Sequence, residues 1–196
     1  FSATELDPAW SWVDEDPTHW SLIDRPGYLR ITTQQEIKNK LVRRAPMTTY
    51  AIRTHLLFTP VENFQLAGLS VFLDTDNHLT FSRAYCNIPP PTCVGNGIYF
   101  DHIENGAVVG SNFATATDVT GEVYLRIVRI RVNYTASFST NGTEWVEVGT
   151  HVVGFEPRQV GLLAFNSGQP VSEIPADFDY FVLVFEYFKI YLPVID

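Results

Sequence analysis

Arg53 and His55 stand two positions apart in a run, Tyr50 to Thr59, in which apolar and polar residues alternate. His78, Thr80 and Ser82 repeat that spacing against Leu79 and Phe81. A period of two places each set on one side of a strand, opposite its apolar side. Planar cationic donors and small hydroxyls on an open sheet face suit hydroxyl-rich ligands, with aromatic rings stacking on pyranose faces. Tyr85 and Tyr99 fall at strand ends beside that face, next to the run Cys86-Asn-Ile-Pro-Pro-Pro-Thr-Cys93, and Trp12 is an outlying platform. Arg53, His55, His78, Ser82, Tyr85, Tyr99 and Trp12 are therefore the expected carbohydrate-binding residues. The competing reading is an ordinary solvated sheet face.

Catalysis finds little support. Sandwich hydrolases of the glucanase type carry paired carboxylates on one strand face, about 5–5.5 Å apart, so that one attacks and the other protonates. Glu144 and Glu147 differ by three positions and point to opposite faces. Asp177 and Asp179 share a face but lie in an aromatic run that fits a core edge, and Asp14-Glu15-Asp16 before Pro17 reads as a solvated turn. His19, His55, His78, His102 and His151 lack metal-ligand spacing, and no serine sits in a G-x-S-x-G elbow. Tyr187-Phe-Lys189 echoes an alginate lyase motif without its companion and reads as coincidence. No catalytic cofactor is expected.

Three consecutive prolines force an extended excursion between Cys86 and Cys93, which a disulfide can close. The composition logic of secreted proteins favours that bridge over two free buried thiols and places the protein outside the cell. Two cysteines without neighbouring histidines cannot complete a zinc site. Asn133 and Asn141 each begin a glycosylation sequon.

Thirteen Lys and Arg against 22 Asp and Glu leave a formal net charge of -9. Such a surface repels phosphate backbones and offers no polybasic patch, so nucleic acid and membrane are not expected partners. Neutral polysaccharides or oligosaccharides fit better than anionic ones. The chain opens at Phe1 without a charged-then-apolar leader, which suggests processing or excision from a longer protein. The longest apolar run, Tyr180 to Phe185, is far shorter than the ~20 residues of a spanning helix.

The elements that must position these residues are strands. Beyond the runs already named, Tyr28–Thr32, Leu69–Leu73, Ile98–Ile103, Val123–Val132, Tyr134–Ser139, Trp145–Val148, Val160–Phe165 and Phe178–Tyr187 carry β-branched and aromatic residues between turn signals. Asn141-Gly142 is a hairpin signal, and Asp74–Asn77 and Glu104–Gly106 make two further reversals. Thr33–Leu41 has no apolar stripe and reads as a loop. The pattern predicts an all-β, two-sheet antiparallel sandwich forming one domain over residues 1–196.

Trp10-Ser-Trp12, Asp16-Pro-Thr-His-Trp20-Ser-Leu22 and Arg25-Pro-Gly-Tyr-Leu-Arg30 form a distinctive string. With Leu41–Arg44, Phe64–Leu69, Phe72–Asn77, the Asn141-Gly142 hairpin and Ala176–Phe181, it resembles the concanavalin A-like C-terminal domain of family 43 β-xylosidases and arabinofuranosidases. The resemblance implies a jelly-roll sandwich without an active site, partnered by the catalytic domain of a parent enzyme. The Cys86–Cys93 insertion departs from the pattern. Where terminal strands pair in such sandwiches, Asp179 and Asp7 are the carboxylates nearest a possible structural calcium. Three functions follow: a non-catalytic carbohydrate-binding module for xylan- or glucan-type polysaccharide, a structural accessory domain without glycan affinity, or a small glycoside hydrolase.

Overall fold

In a computed structural model, residues 1, 3–88, 93–110, 112–167 and 171–185 are described. The triple-proline stretch, Tyr187-Phe-Lys189 and the last residues of the expected Phe178–Tyr187 strand lie outside them. Among the described residues there is no helix.

Two sheets stack face to face. With strands numbered along the chain, the first runs β1 (Ser11–Val13), β4 (Lys40–Arg44), β14 (Gln159–Asn166), β6 (Gln65–Asp74), β7 (Asn77–Cys86), β8 (Gly95–Glu104), β10 (Phe113–Ala116), with β9 (Ala107–Val108) paired to β8. The second runs β13 (Val146–Val152), β12 (Asn133–Ser139), β11 (Glu122–Ile130), β5 (Tyr50–Leu57), β15 (Pro175–Phe185), β3 (Leu29–Thr32), β2 (Trp20–Ser21). Pairings between these strands are antiparallel. This is the expected sandwich.

The alternation in the sequence fills the space between the sheets. Ile52 and Leu56 of β5, Leu125 and Ile127 of β11, Leu69 and Val71 of β6, Phe81 of β7, Phe100 of β8 and Leu162 of β14 are fully buried in one core. At about 25 cal/mol per Å² of apolar area, that contact is the main stabilising term. Two-sided strands follow from it: odd and even residues meet different media. Gly68 fits its strand because a β-carbon there would fall 2.1 Å from the Phe81 carbonyl oxygen.

The turns resolve individually. Asn105 and Gly106 both have positive φ, 54° and 74°, which makes the β8–β9 reversal a primed hairpin turn as its sequence suggests. Asn77 Nδ2 donates to Asp74 Oδ1 at 2.8 Å across the β6–β7 reversal. Asn141-Gly142 does join β12 to β13, but within a longer loop. There the Asn141 side-chain oxygen accepts from the amides of Thr143 and Glu144, each at 2.9 Å. Residues 33–39 form the expected loop, whereas Lys40 and Leu41 begin β4.

Candidate carbohydrate-binding faces

The residues expected on one face divide between two. β5 belongs to the second sheet and β7 to the first, so Arg53 and His55 point away from the sandwich on the opposite side from His78 and Ser82. The reading of them as neighbours fails because alternation fixes the parity of a residue within its strand and not the sheet to which the strand belongs. Trp12 fails as a platform too. It packs against the main core with its ring centroid 4.8 Å from that of Trp20.

On the first sheet's outer face, Ser82 pairs with Gly68 of β6 and Tyr99 of β8, and Thr80 with Ser70 and Asp101. Beside them lies a second apolar cluster, separate from the core, built from Ala84, Cys86 and Tyr99 with Phe64, Leu66, Cys93 and Ala114 against it. The Cys86–Cys93 disulfide, with Cα atoms 5.2 Å apart, closes over this cluster. Tyr99 is 6% exposed, and its hydroxyl donates to the Gly95 carbonyl at 2.8 Å while accepting from the Val94 amide at 3.1 Å. Burial pushes its phenol up. Tyr99 therefore anchors the backbone after Cys93 and supplies a wall rather than a free stacking ring.

A recess of about 180 Å³ opens against this wall. Phe64, Leu66, Ala84, Tyr85, Tyr99 and the disulfide line its apolar side, and Ser82, Asp101 and Asn112 line its polar side. Asp101, absent from the sequence-based expectation, is its most perturbed group. Burial pushes its carboxyl up to about 6, and among the described residues no hydrogen bond reaches it. Ser70 and Ser82, each 1% exposed, carry hydroxyls without a partner among the described residues. Unpaired buried polar groups cost roughly 1–3 kcal/mol each. Asp101 was findable, since it shares parity with Tyr99 two residues earlier. His78 lies at the far end of this face, 6.5 Å from Phe72, whose ring also carries the Lys40 ammonium at 4.2 Å. Burial, then Lys40, lowers the His78 pKa.

The second sheet's outer face is more open. His55 stacks on Tyr124 at 4.2 Å, with Nδ1 3.1 Å from Asp179 and Nε2 3.1 Å from Glu122. Arg126 lies 4.2 Å over the Trp145 ring and donates from Nε to Ser137 at 3.1 Å. Tyr124, Arg126 and Trp145 are not legible in the sequence, because the β11–β5 register sets Tyr124 and Arg126 opposite His55 and Arg53, and Arg126 in turn lies over Trp145. Asp179 and Asp7 are not brought together by a shared partner. Asp179 holds His55, Asp7 accepts from the Ala9 amide at 2.8 Å, and the Phe1 amino group donates to the Asp179 carbonyl at 3.2 Å. Among the described residues no three His, Cys, Asp or Glu side chains gather to hold a metal.

An antiparallel two-sheet sandwich of this strand order is a concanavalin A-like module. The chain belongs to the family described as the beta xylosidase C-terminal concanavalin A-like domain, which matches residues 1–183. That family is the non-catalytic C-terminal domain of GH43 enzymes, and these residues do not form the catalytic propeller. Among solved structures, the chain is similar to the GH43 protein BlXynB from Bacillus licheniformis, with TM-score 0.83 and 24% identity over 93% of this chain and 38% of that one. It is also similar to a xylan beta-1,4-xylosidase from Bacillus halodurans C-125, with TM-score 0.78, 24% identity and the same coverages of 93% and 38%. The chain thus spans less than two fifths of the length of these proteins. A functionally unknown protein from Saccharomyces cerevisiae shares the fold at TM-score 0.68 and 12% identity, covering 91% of this chain and 97% of that one. No curated protein matches the sequence.

Proposed function

We propose that the chain is a carbohydrate-binding accessory module of an extracellular glycoside hydrolase, taking neutral xylan- or glucan-type saccharide on the outer face of its first sheet. One observation carries this reading: the Asp101 carboxylate and the Ser82 hydroxyl line one recess, without partners among the described residues, against an apolar wall. A sugar presents the complement, with hydroxyl donors on its edge and C–H groups on its face. An ionised Asp101 accepts from two hydroxyls, and Ser82 supplies a further donor or acceptor. The recess has room for a single ring rather than a chain, so binding is weak and selects an end or a side residue. The disulfide supports the extracellular placement, and family membership supports a catalytic domain as partner.

Calorimetric titration of the 196-residue chain with xylo- and gluco-oligosaccharides tests the proposal. Millimolar binding by the parent, weakened severalfold in Asp101→Asn and in Ser82→Val, is expected. Binding by neither sugar series leaves a structural accessory domain as the reading.

A further inference from the structure

The acidic balance of this protein conceals a local reversal. Arg53 of β5 and Arg126 of β11 are direct cross-strand partners, and both point outward, because their neighbours Ile52, Leu125 and Ile127 are buried in the core. Like charges placed directly opposite on a sheet destabilise it. A chain with 22 acidic residues has ample means to neutralise them, yet among the described residues no carboxylate pairs with either. Arg53 is exposed and makes no hydrogen bond or ion pair among the described residues. Among the described residues Arg126 has only Ser137 and the face of Trp145. Two carboxylates of this face, Glu122 and Asp179, are turned onto His55, at 3.1 Å each, and Glu147, which lies opposite Ser137 in the row that holds both arginines, makes no ion pair with either among the described residues.

His55 thus holds Glu122 and Asp179 to itself. Burial, then Arg53, lowers the Arg126 pKa, as expected of two guanidinium groups sharing one unneutralised field. Around them stand Trp145, Tyr124 and the half-buried Tyr180, whose phenol burial pushes up against the opposing pull of Arg53. Guanidinium forks bind a planar carboxylate through paired N–H groups, and a second fork adds to the first. Aromatic rings beside the forks suit the ring that carries such a carboxylate.

We propose that Arg53 and Arg126 form a carboxylate-binding site for a uronic acid residue, borne as a side group on an otherwise neutral polysaccharide. The overall charge of -9 disfavours a continuously anionic polymer. An isolated uronate on a neutral backbone avoids that repulsion and still reaches the pair. The site lies on the opposite side of the sandwich from the Asp101 recess. It rests on the reading of the chain as a glycan-binding module, and it adds a substrate class that the recess does not select.

The test is titration of the chain with a glucuronate-substituted xylo-oligosaccharide and with its unsubstituted counterpart, at low salt and at about 0.5 M salt, where charge attraction is largely screened. The substituted sugar should bind about tenfold tighter at low salt, the equivalent of one charge-assisted hydrogen-bonded contact. Arg53→Gln, at an exposed position, should abolish that preference while leaving affinity for the neutral sugar unchanged. Arg126→Lys, which keeps charge but not the fork, should reduce it severalfold. Equal affinity for both sugars, or a preference that survives both substitutions, overturns the arginine site and spares the neutral-glycan reading. Binding of neither sugar overturns both.

Discussion

Arg30 grips both carboxylate oxygens of Asp177, Nε to Oδ1 at 2.7 Å and Nη2 to Oδ2 at 2.9 Å, from the position directly opposite on the neighbouring strand. Arg25 adds a bond to Oδ2 at 2.8 Å and lies 4.3 Å over the Tyr28 ring. The string Arg25-Pro-Gly-Tyr-Leu-Arg30 is therefore a clamp that joins β3 to β15. Burial alone would raise the Asp177 carboxyl, but the hydrogen bonds from Arg30 and Arg25 outweigh it and hold the pKa low.

Replacing Asp177 by Ala leaves two cations facing an empty site. A cost of about 2–3 kcal/mol is expected, below the 3–5 of a fully buried pair because both arginines keep some solvent contact. Since the folded-state pKa lies below the unfolded one, the stabilisation is complete at neutral pH and disappears as pH falls through the folded value. Urea unfolding of parent and Asp177→Ala between pH 7 and 2.5 should show the gap between them narrowing only below about pH 4.

The Cys86–Cys93 bridge closes a short loop, and chain-entropy reasoning gives it about 2.5 kcal/mol. Reduction should also loosen the cluster of Ala84, Tyr99 and Leu66 beneath it while the main core stays intact. Alkylation of the unreduced protein should label neither cysteine, and amide exchange after reduction should rise first near Tyr99.

A structural calcium at Asp179 would compete with the His55 imidazole for the same carboxylate. Calcium needs six to eight oxygen ligands, and the Asp7 carboxylate is already turned to the Ala9 amide. The expected outcome is a melting temperature that does not change with a chelator. A chelator-dependent fall of several degrees would restore the ion.

Much of the sandwich is legible in the sequence, because alternation over Tyr50–Thr59 or Leu79–Ser82 states a physical fact about two-sided strands. The site is legible only in fragments. Ser82 of β7 lies opposite Tyr99 of β8, a neighbourhood that parity and succession along the chain make legible. The same pattern sets Arg53 and His55 beside them, and fails there because strands from opposite sheets carry it equally. The turn at Arg131-Val132 was also missed. Val123–Val132 reads as one strand, and nothing in that run announces that Arg131 takes φ 58° without being glycine. Trp12 was ambiguous, as a short edge strand gives too few residues to fix which side is apolar.

Asp101 offers the sharpest test, because stability and binding should respond in opposite directions. Burial pushes its carboxyl up to about 6, above the value near 4 of an unfolded chain. Between those values the native state holds more protons than the unfolded one, so Asp101 costs stability as pH rises through that window. Asp101→Asn removes the buried charge. At pH 7.5 it should stabilise the fold by roughly 1–3 kcal/mol, and at pH 4 it should change little. The amide offers one acceptor oxygen where the carboxylate has two, so saccharide affinity should fall in the same variant that melts higher. Thermal melts at both pH values and oligosaccharide titration at pH 7.5 read the two effects separately. A variant that melts higher yet binds like the parent would place the saccharide outside the recess. One that melts like the parent at both pH values would mean that Asp101 is solvated.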